Sequence, residues 1–529
     1  MASTFGHGAV VGQPEADTAA VNVLKKGGNA VDAAVTAALL AGVLAPHATG
    51  FGGYGGVMLI YTGGEVRCID FNTVAPGAAS SKMYEVVRSD GRYGSTVRGR
   101  SNSVGHLAIS VPGVLAGLAM ALERFGTTTM ADALAPTIRA CQNGFRVSAT
   151  LASRIEACEK QIREFPETSR LLLLDDAPAS SGDRLKNPNL GKLLEQIADK
   201  GVDEFYKGRI ADRIVKHVQD NGGILSKEDM EAYEPRLVEP VHVQCAGCDL
   251  YSAPLCGAGV SLLQMCRIAE VVELDVWERD AARLAHGMTE AMRNAWLDRY
   301  RHFGDPRTVD VPVEMLLSDV SIGAAGKEVA DLVSEGKHGQ CLLRPLGVGG
   351  TVHLSVVDEE RNMVSLTLTH GPSFGSFVTL PRMGLLMNGG MSRFDPGSGL
   401  PNSVGPGKMP VMNMCPTIVL RDRNPFLTIG ASGGTRIPSS VFQVLARRLV
   451  LQEDIDWAVS AGRVHSEGNE WVRIDEEFGE AAPQYLKEVG YTVRQGGAAA
   501  KVRAIEVDES GELTAVLDPR MQGGREKGY

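Results

Sequence analysis

Gly349-Gly350-Thr351 is where this chain could do chemistry, because a hydroxyl directly after two glycines, at the first position of a strand, can reach back to the preceding carbonyl. Glycine tolerates the strained backbone that such an attack requires. If Thr351 cuts its own peptide bond it becomes N-terminal, with a free α-amine of ordinary pKa about 7.7–8.0 that can serve as its general base. No histidine or aspartate partner is then needed. Threonine is also a common plain opener of strands. Attack on an acyl group needs donors aimed at the developing oxyanion, and Gly433-Gly434, in a turn just before a helix, could present two backbone amides at a positive helix end. An ordinary strand-to-helix turn would read the same way. A nucleotide-phosphate loop fits less well, since residues 430–434 do not match GxxxxGK[ST] and no GxGxxG opens a helix there. His47, His106, His286 and His353 are further candidates for acid/base work, each with a plainer core or turn role.

The elements that must position these groups follow from pattern. Thr351 to Asp358 alternates as a strand should, residues 359–362 turn, and Met363 to Thr369 returns as a second alternating strand. His353 therefore shares the strand face of Thr351. Thr417 to Leu420 and Phe426 to Ile429 read as strands, residues 430–436 as a loop, and Pro438 to about Leu451 as a helix. Near the start, Glu15 to Lys26 reads as a helix stopped by Gly27-Gly28, and Asn29 or Asp32 caps a second one. That second helix is apolar nearly all round and should lie deep, between layers. Val57 to Tyr61 and Val66 to Phe71 read as a hairpin through Gly63-Gly64. From about Val114 to Ser334 the pattern is mainly helical, with a strand-like break near 241–251. Strands set between runs of helices in this order imply layered architecture.

Composition excludes several classes. The 529 residues carry 53 Lys+Arg against 63 Asp+Glu, a mild acidity that argues against nucleic acid or an anionic membrane as partner. The most apolar stretch, residues 31–46, is interrupted by Asp32 and Thr36 and is shorter than the roughly 20 residues a bilayer demands. Nine cysteines without regular spacing fit reduced thiols, and the N-terminus lacks a basic run followed by an apolar one, so the expectation is a cytoplasmic protein. Cys245 and Cys248 form the CxxC, but no further ligands with zinc spacing are evident nearby, and the pairs Asp298-Arg299 and Asp305-Arg307 read as structural. Neither metal nor cofactor is called for.

Taken together, several segments resemble the γ-glutamyltransferase family of N-terminal-nucleophile hydrolases, in the family's order and over nearly the whole chain. They are Lys26-Gly27-Gly28-Asn29-Ala30-Val31-Asp32, Pro46-His47 before a glycine-dense loop, Val111-Pro112-Gly113, Glu290-Ala291-Met292, Gly304-Asp305-Pro306, Gly350-Thr351-Val352-His353-Leu354-Ser355, Pro416-Thr417-Ile418-Val419 and Gly433-Gly434-Thr435-Arg436-Ile437. The resemblance implies an α+β fold, an αββα four-layer sandwich made as an inactive precursor and cut between Gly350 and Thr351. Residues 1–350 and 351–529 would then interleave in one domain. It further implies Thr351 as nucleophile, Thr369 as its positioning partner, Gly433 and Gly434 as the oxyanion hole, and an acyl-enzyme resolved by water or an amine.

Departures from the family pattern fall where that family grips its substrate. An arginine usual after Asp-Phe is Asn72, an asparagine usual two residues after the positioning threonine is Gly371, an acidic residue usual before phenylalanine is Arg393, and consecutive serines are Met412-Asn413. Asn388 completes the set of substrate-side candidates. An arginine would repel the substrate's ammonium group, whereas a carboxylate there would gain roughly 1.5–3 kcal/mol. The segment between Phe394 and Pro410 is also short, which would leave the cleft open. The expected function is thus an autoprocessing amidohydrolase or acyltransferase for a small amide whose acyl part lacks the γ-glutamyl head, with Arg393 meeting a carboxylate. Two alternatives stand beside it: a true γ-glutamyltransferase or glutathione hydrolase, and an unprocessed, non-catalytic scaffold of the same fold. The expected partners are the small-molecule amide and the chain's own two cleavage products, with a homo-oligomer compatible.

Overall fold

Alternation sorts the centre of the molecule. Strands Gly350–Val357 and Met363–Gly371 pair antiparallel, and Val352, Leu354, Val356, Val364, Leu366 and Leu368 enter an apolar cluster with helices Pro14–Leu24 and Ala30–Leu44. Val357 and Met363 face the opposite way, into a cluster with Ile418, Leu420 and Ile505. One sheet face therefore meets helices and the other meets a second sheet. The computed structural model describes residues 2–88, 95–341, 350–521 and 524–529; Pro345 and the glycine stretch at 347–349 lie outside them.

The first sheet runs, in spatial order, Arg236–Val238, Glu65–Asp70, Gly55–Thr62, Met363–Gly371, Gly350–Val357, Ala9–Val11, Lys527–Gly528. The second runs Ser3–Phe5, Leu513–Leu517, Lys501–Val507, Asn424–Ser432, Thr417–Arg421, Cys248–Ser252, Val241–Cys245. Every pairing in both is antiparallel. A third cluster packs helices Gly259–Val271, Ala281–His302 and Arg436–Leu445 on the outer face of the second sheet. The layers are helix, sheet, sheet, helix: an αββα sandwich. Each sheet draws strands from both sides of Gly350, since Gly55–Thr62 pairs with Met363–Gly371 and Cys248–Ser252 with Thr417–Arg421.

Local chemistry explains the boundaries. Asn29 and Asp32 act together as a capping box, the Asn29 side chain accepting from the Val31 and Asp32 amides while Asp32 accepts from the Asn29 amide. The helix they start, Ala30–Leu44, is buried along its whole length, between the first sheet and helices Val114–Phe125 and Met130–Asn143. Among the described residues no helix is long and apolar enough to cross a membrane. Cys245 and Cys248 sit opposite each other across a hairpin whose turn is Ala246-Gly247, which accounts for their spacing. The expected loop at 430–436 is shorter than its glycines suggest. Strand Asn424–Ser432 continues through Gly430 because Gly430 pairs with Arg503 and Ser432 with Lys501, and the helix begins at Arg436 with Pro438 inside its first turn.

Candidate active site

Between Gly350 and Val352 the register slips, with Gly350 opposite Gly371 but Val352 opposite Leu368, so Thr369 and His370 together face Thr351 and a bulge falls on the strand opposite it. Bulges re-aim side chains at functional positions. Half-buried Thr351 lines a cleft of about 410 Å³ together with Gly350, Ser432 and Gly433. Gly350 is pressed against the main chain of His47, whose carbonyl oxygen would lie 2.5 Å from any Cβ added there. Only glycine fits.

Thr369 holds this junction from the neighbouring strand. Its hydroxyl donates to the Gly350 carbonyl and accepts from the Gly371 amide at 2.9 Å. The Gly371 carbonyl in turn accepts from Arg393 Nη2 at 3.1 Å. Thr369 thus touches the carbonyl that would become an oxyanion if Thr351 attacked it.

Gly433 and Gly434 connect strand Asn424–Ser432 to helix Arg436–Leu445. Gly434 has φ +69°, and a Cβ on Gly433 would stand 2.8 Å from that of Ala500. Both positions need glycine. Arg436 Nε donates to the Gly433 carbonyl at 3.2 Å, and Arg503 donates to Ser432 Oγ at 3.0 Å and to the Gly12 carbonyl at 2.9 Å. Burial pushes the Arg503 pKa down to about 10 and that of its neighbour Asp17 up to about 8.

A second cleft, of about 350 Å³, meets this turn at Thr435 and is lined by Arg299, Arg393, Asn413 and Thr435. Arg299, buried on Trp296 and Phe303, donates to the Met412 carbonyl at 2.6 Å and to Asn413 Oδ1 at 3.2 Å. The sequence reading paired it with Asp298, which instead accepts from Gln264 at 2.6 Å.

The other substrate-side candidates are placed differently. Asn388 is fully buried and lines neither cleft; its amide donates to the Gly52 and Ser110 carbonyls, and its oxygen accepts from Ser110 N, Ser110 Oγ and Gly390 N. Asn72 is buried and donates to the Pro410 carbonyl at 2.9 Å, while the Met412 side chain packs between the sheets. Gly371 contributes through its backbone alone. Neither Asn388 nor Met412, both expected on the substrate side, lines either cleft.

The histidines divide as well. His47 lines the first cleft, and burial holds its pKa down at about 3. His353 is enclosed between Thr367 Oγ1 at 2.8 Å and Ser355 Oγ at 3.1 Å; His106 meets His217 at 3.3 Å; His286 lies 3.1 Å from the Lys337 carbonyl. Asp305 is a buried structural anion, paired with Arg307 at 2.6 Å and accepting from Met409 N at 2.8 Å.

Comparison with known proteins matches the family model "Gamma-glutamyltranspeptidase" to residues 16–528. The chain belongs to this family. Among γ-glutamyltranspeptidase relatives, the glutathione hydrolase proenzyme of Escherichia coli (strain K12) is 32% identical over 96% of this chain and 89% of its own length. The acylase ACY 1 proenzyme of Pseudomonas sp. (strain SE83) is 30% identical over 97% of this chain and 92% of its own. The cephalosporin acylase from Bacillus halodurans superposes with a TM-score of 0.89 at 25% identity, covering 100% of this chain and 97% of that one. Such relatives are hydrolases and acyltransferases with an N-terminal nucleophile, and this chain is an enzyme of that kind.

Proposed function

We propose that the chain is made as a precursor, cuts itself between Gly350 and Thr351, and then acts as an amidohydrolase or acyltransferase on a small amide whose acyl part lacks the γ-glutamyl amino head and carries a carboxylate. The observation that carries this is the Thr369 hydroxyl on the Gly350 carbonyl, with Thr351 and Gly433 in one cleft. In the first step Thr351 Oγ attacks the Gly350 carbonyl carbon, the C–N bond breaks, and the proton moves to the released α-amine. Water then hydrolyses the resulting ester. In turnover the α-amine takes the Oγ proton as Thr351 attacks the substrate carbonyl, and returns it to the departing amine. The Gly433 and Gly434 amides, at the start of a ten-residue helix, would face the oxyanion. Water or a second amine releases the acyl group.

Arg393 supports the acyl assignment, since it lines the second cleft where the family's pattern has an acidic residue. The acylases among its relatives favour the same reading; the glutathione hydrolases among them favour glutathione as donor. A reducing compartment belongs to this proposal, because all nine cysteines are free thiols. Intact-mass analysis should find the two segments 1–350 and 351–529, and Thr351→Ala should stay whole and inactive. Glutaryl anilides should turn over faster than glutathione. Activity in Thr351→Ala, or glutathione as the best substrate of the panel, overturns the reading.

A further inference from the structure

His106 lines neither cleft and instead faces a second histidine 111 residues along the chain, His217, with the two Nε2 atoms 3.3 Å apart. The fold makes this meeting firm. His217 lies on helix Arg209–Asp220, whose Ile210, Ile214, Val215 and Val218 are anchored in the core. His106 opens the short helical turn His106–Ala108, which is held by the Gly105 amide on the Ser376 carbonyl at 2.9 Å and by Tyr84 Oη on the Leu107 carbonyl at 3.0 Å. Just past the helix, a Cβ added to Gly223 would stand 2.8 Å from the His106 carbonyl oxygen, so glycine is what lets the two segments close on each other. Both imidazoles are half-buried, within reach of water.

Two imidazole nitrogens that share a zinc ion, each about 2.0–2.1 Å from it and at a near-tetrahedral angle, stand about 3.3 Å apart. That is the separation found here. We propose that His106 and His217 form a binding site for one divalent transition-metal ion of the class imidazole prefers, such as Zn2+, Ni2+ or Co2+. Without the ion, one Nε2–H donates to the other Nε2. On binding, the donating ring moves its proton to Nδ1 and both Nε2 lone pairs turn to the metal, with no net release of protons. That shift is open, because among the described residues neither Nδ1 has a partner in the protein. The field also suits a cation. Among the described residues the charged side chains acting on His217 are Asp220 and Glu167, both carboxylates, and only His217 acts on His106. No third histidine, cysteine or carboxylate among the described residues completes the set, so water fills the other positions and the site is an open, two-nitrogen one of micromolar affinity. Mg2+ and Ca2+, which ask for oxygen ligands, are excluded. The ion takes no part in the Thr351 chemistry. It joins helix Arg209–Asp220 to a turn whose Leu107 packs with Met391 and Phe394, and so braces the segment that carries Arg393.

The test uses the full chain and the metal alone. Calorimetric titration with NiCl2 should show one ion bound per chain. His106→Gln and His217→Gln should each weaken that event about tenfold or more, since glutamine keeps a hydrogen-bonding partner for the remaining histidine but removes a ligand. MgCl2 and CaCl2 should give no heat of binding. Unaltered urea midpoints in the two variants tie the loss to the ligand. Should a midpoint drop, a CoCl2 titration of the unsubstituted protein decides, because it reads the ligand type directly: nitrogen and water ligands give weak visible bands, whereas thiolate adds strong near-ultraviolet charge transfer. The expected spectrum is the first, saturating at one ion. A chain that binds no Ni2+, binding that survives both substitutions, or a cobalt spectrum dominated by thiolate overturns the proposal.

Discussion

Replacing Thr369 by valine removes one oxygen and keeps the volume of the side chain, so it isolates what the hydroxyl does. That hydroxyl donates to the Gly350 carbonyl and accepts from the buried Gly371 amide. If the Gly350 oxygen becomes the oxyanion of self-cleavage, deleting its donor should slow cutting by about 10²–10³-fold, the effect of removing one preorganised donor, or about 2.7–4 kcal/mol. Leaving the Gly371 amide unpaired should add a stability loss of about 1–3 kcal/mol, visible in urea denaturation. Thr369→Ser keeps both bonds and should process within a fewfold of the parent. The assay is a denaturing-gel time course of freshly made chain, following loss of the full-length band. Refutation is unambiguous: Thr369→Val cutting at the parental rate, or serine as slow as valine, would mean the hydroxyl does not serve the carbonyl it touches.

Other outcomes follow from the same geometry. Gly433→Ala pushes a methyl to 2.8 Å from the Ala500 Cβ, so the turn must shift, and kcat/KM in the cut enzyme should fall about 10²-fold while the strain also lowers the unfolding midpoint. Asn388→Ala strands at least three buried partners and should destabilise by about 3 kcal/mol or more, while the folded fraction keeps its KM, as measured by parallel denaturation and kinetics. Burial holds His370 at about 3, below its ordinary 6.5, so its imidazole stays neutral in the folded chain while in the unfolded chain it takes up a proton as pH falls below 6.5. Stability is therefore full above that pH and lost toward pH 3, by about 2 kcal/mol at pH 5 for this one residue. His370→Leu in the Thr351→Ala background should flatten the fall in urea midpoint between pH 7 and 5, and an unchanged slope would remove His370 as its source.

The strand pair that carries Thr351 was legible because period-two alternation is strong from 351 to 369, and the all-apolar helix at 30–44 because nothing in it favours water. The bulge at Thr369-His370, opposite Thr351, was not, since it depends on how two strands pair. The glycines at 430, 433 and 434 look alike in sequence, yet the first lies in a strand because residues 501–507 pair with it. Asn388 sits in the same short stretch as Arg393, and a sequence does not say that one amide points into the core while the other side chain lines a cleft. Arg503 escaped notice because it belongs to an unremarkable segment, and only the fold brings it to Ser432 beside the glycine turn.

The alternation of early and late strands within both sheets has a consequence for inheritance. Severing the Gly350–Thr351 peptide would leave two polypeptides still held as a single body, zipped along several ladders of main-chain hydrogen bonds. Genes encoding the halves separately would present each ribosome product with unpaired edges and neither sheet complete. Such a protein is best encoded whole and divided afterwards.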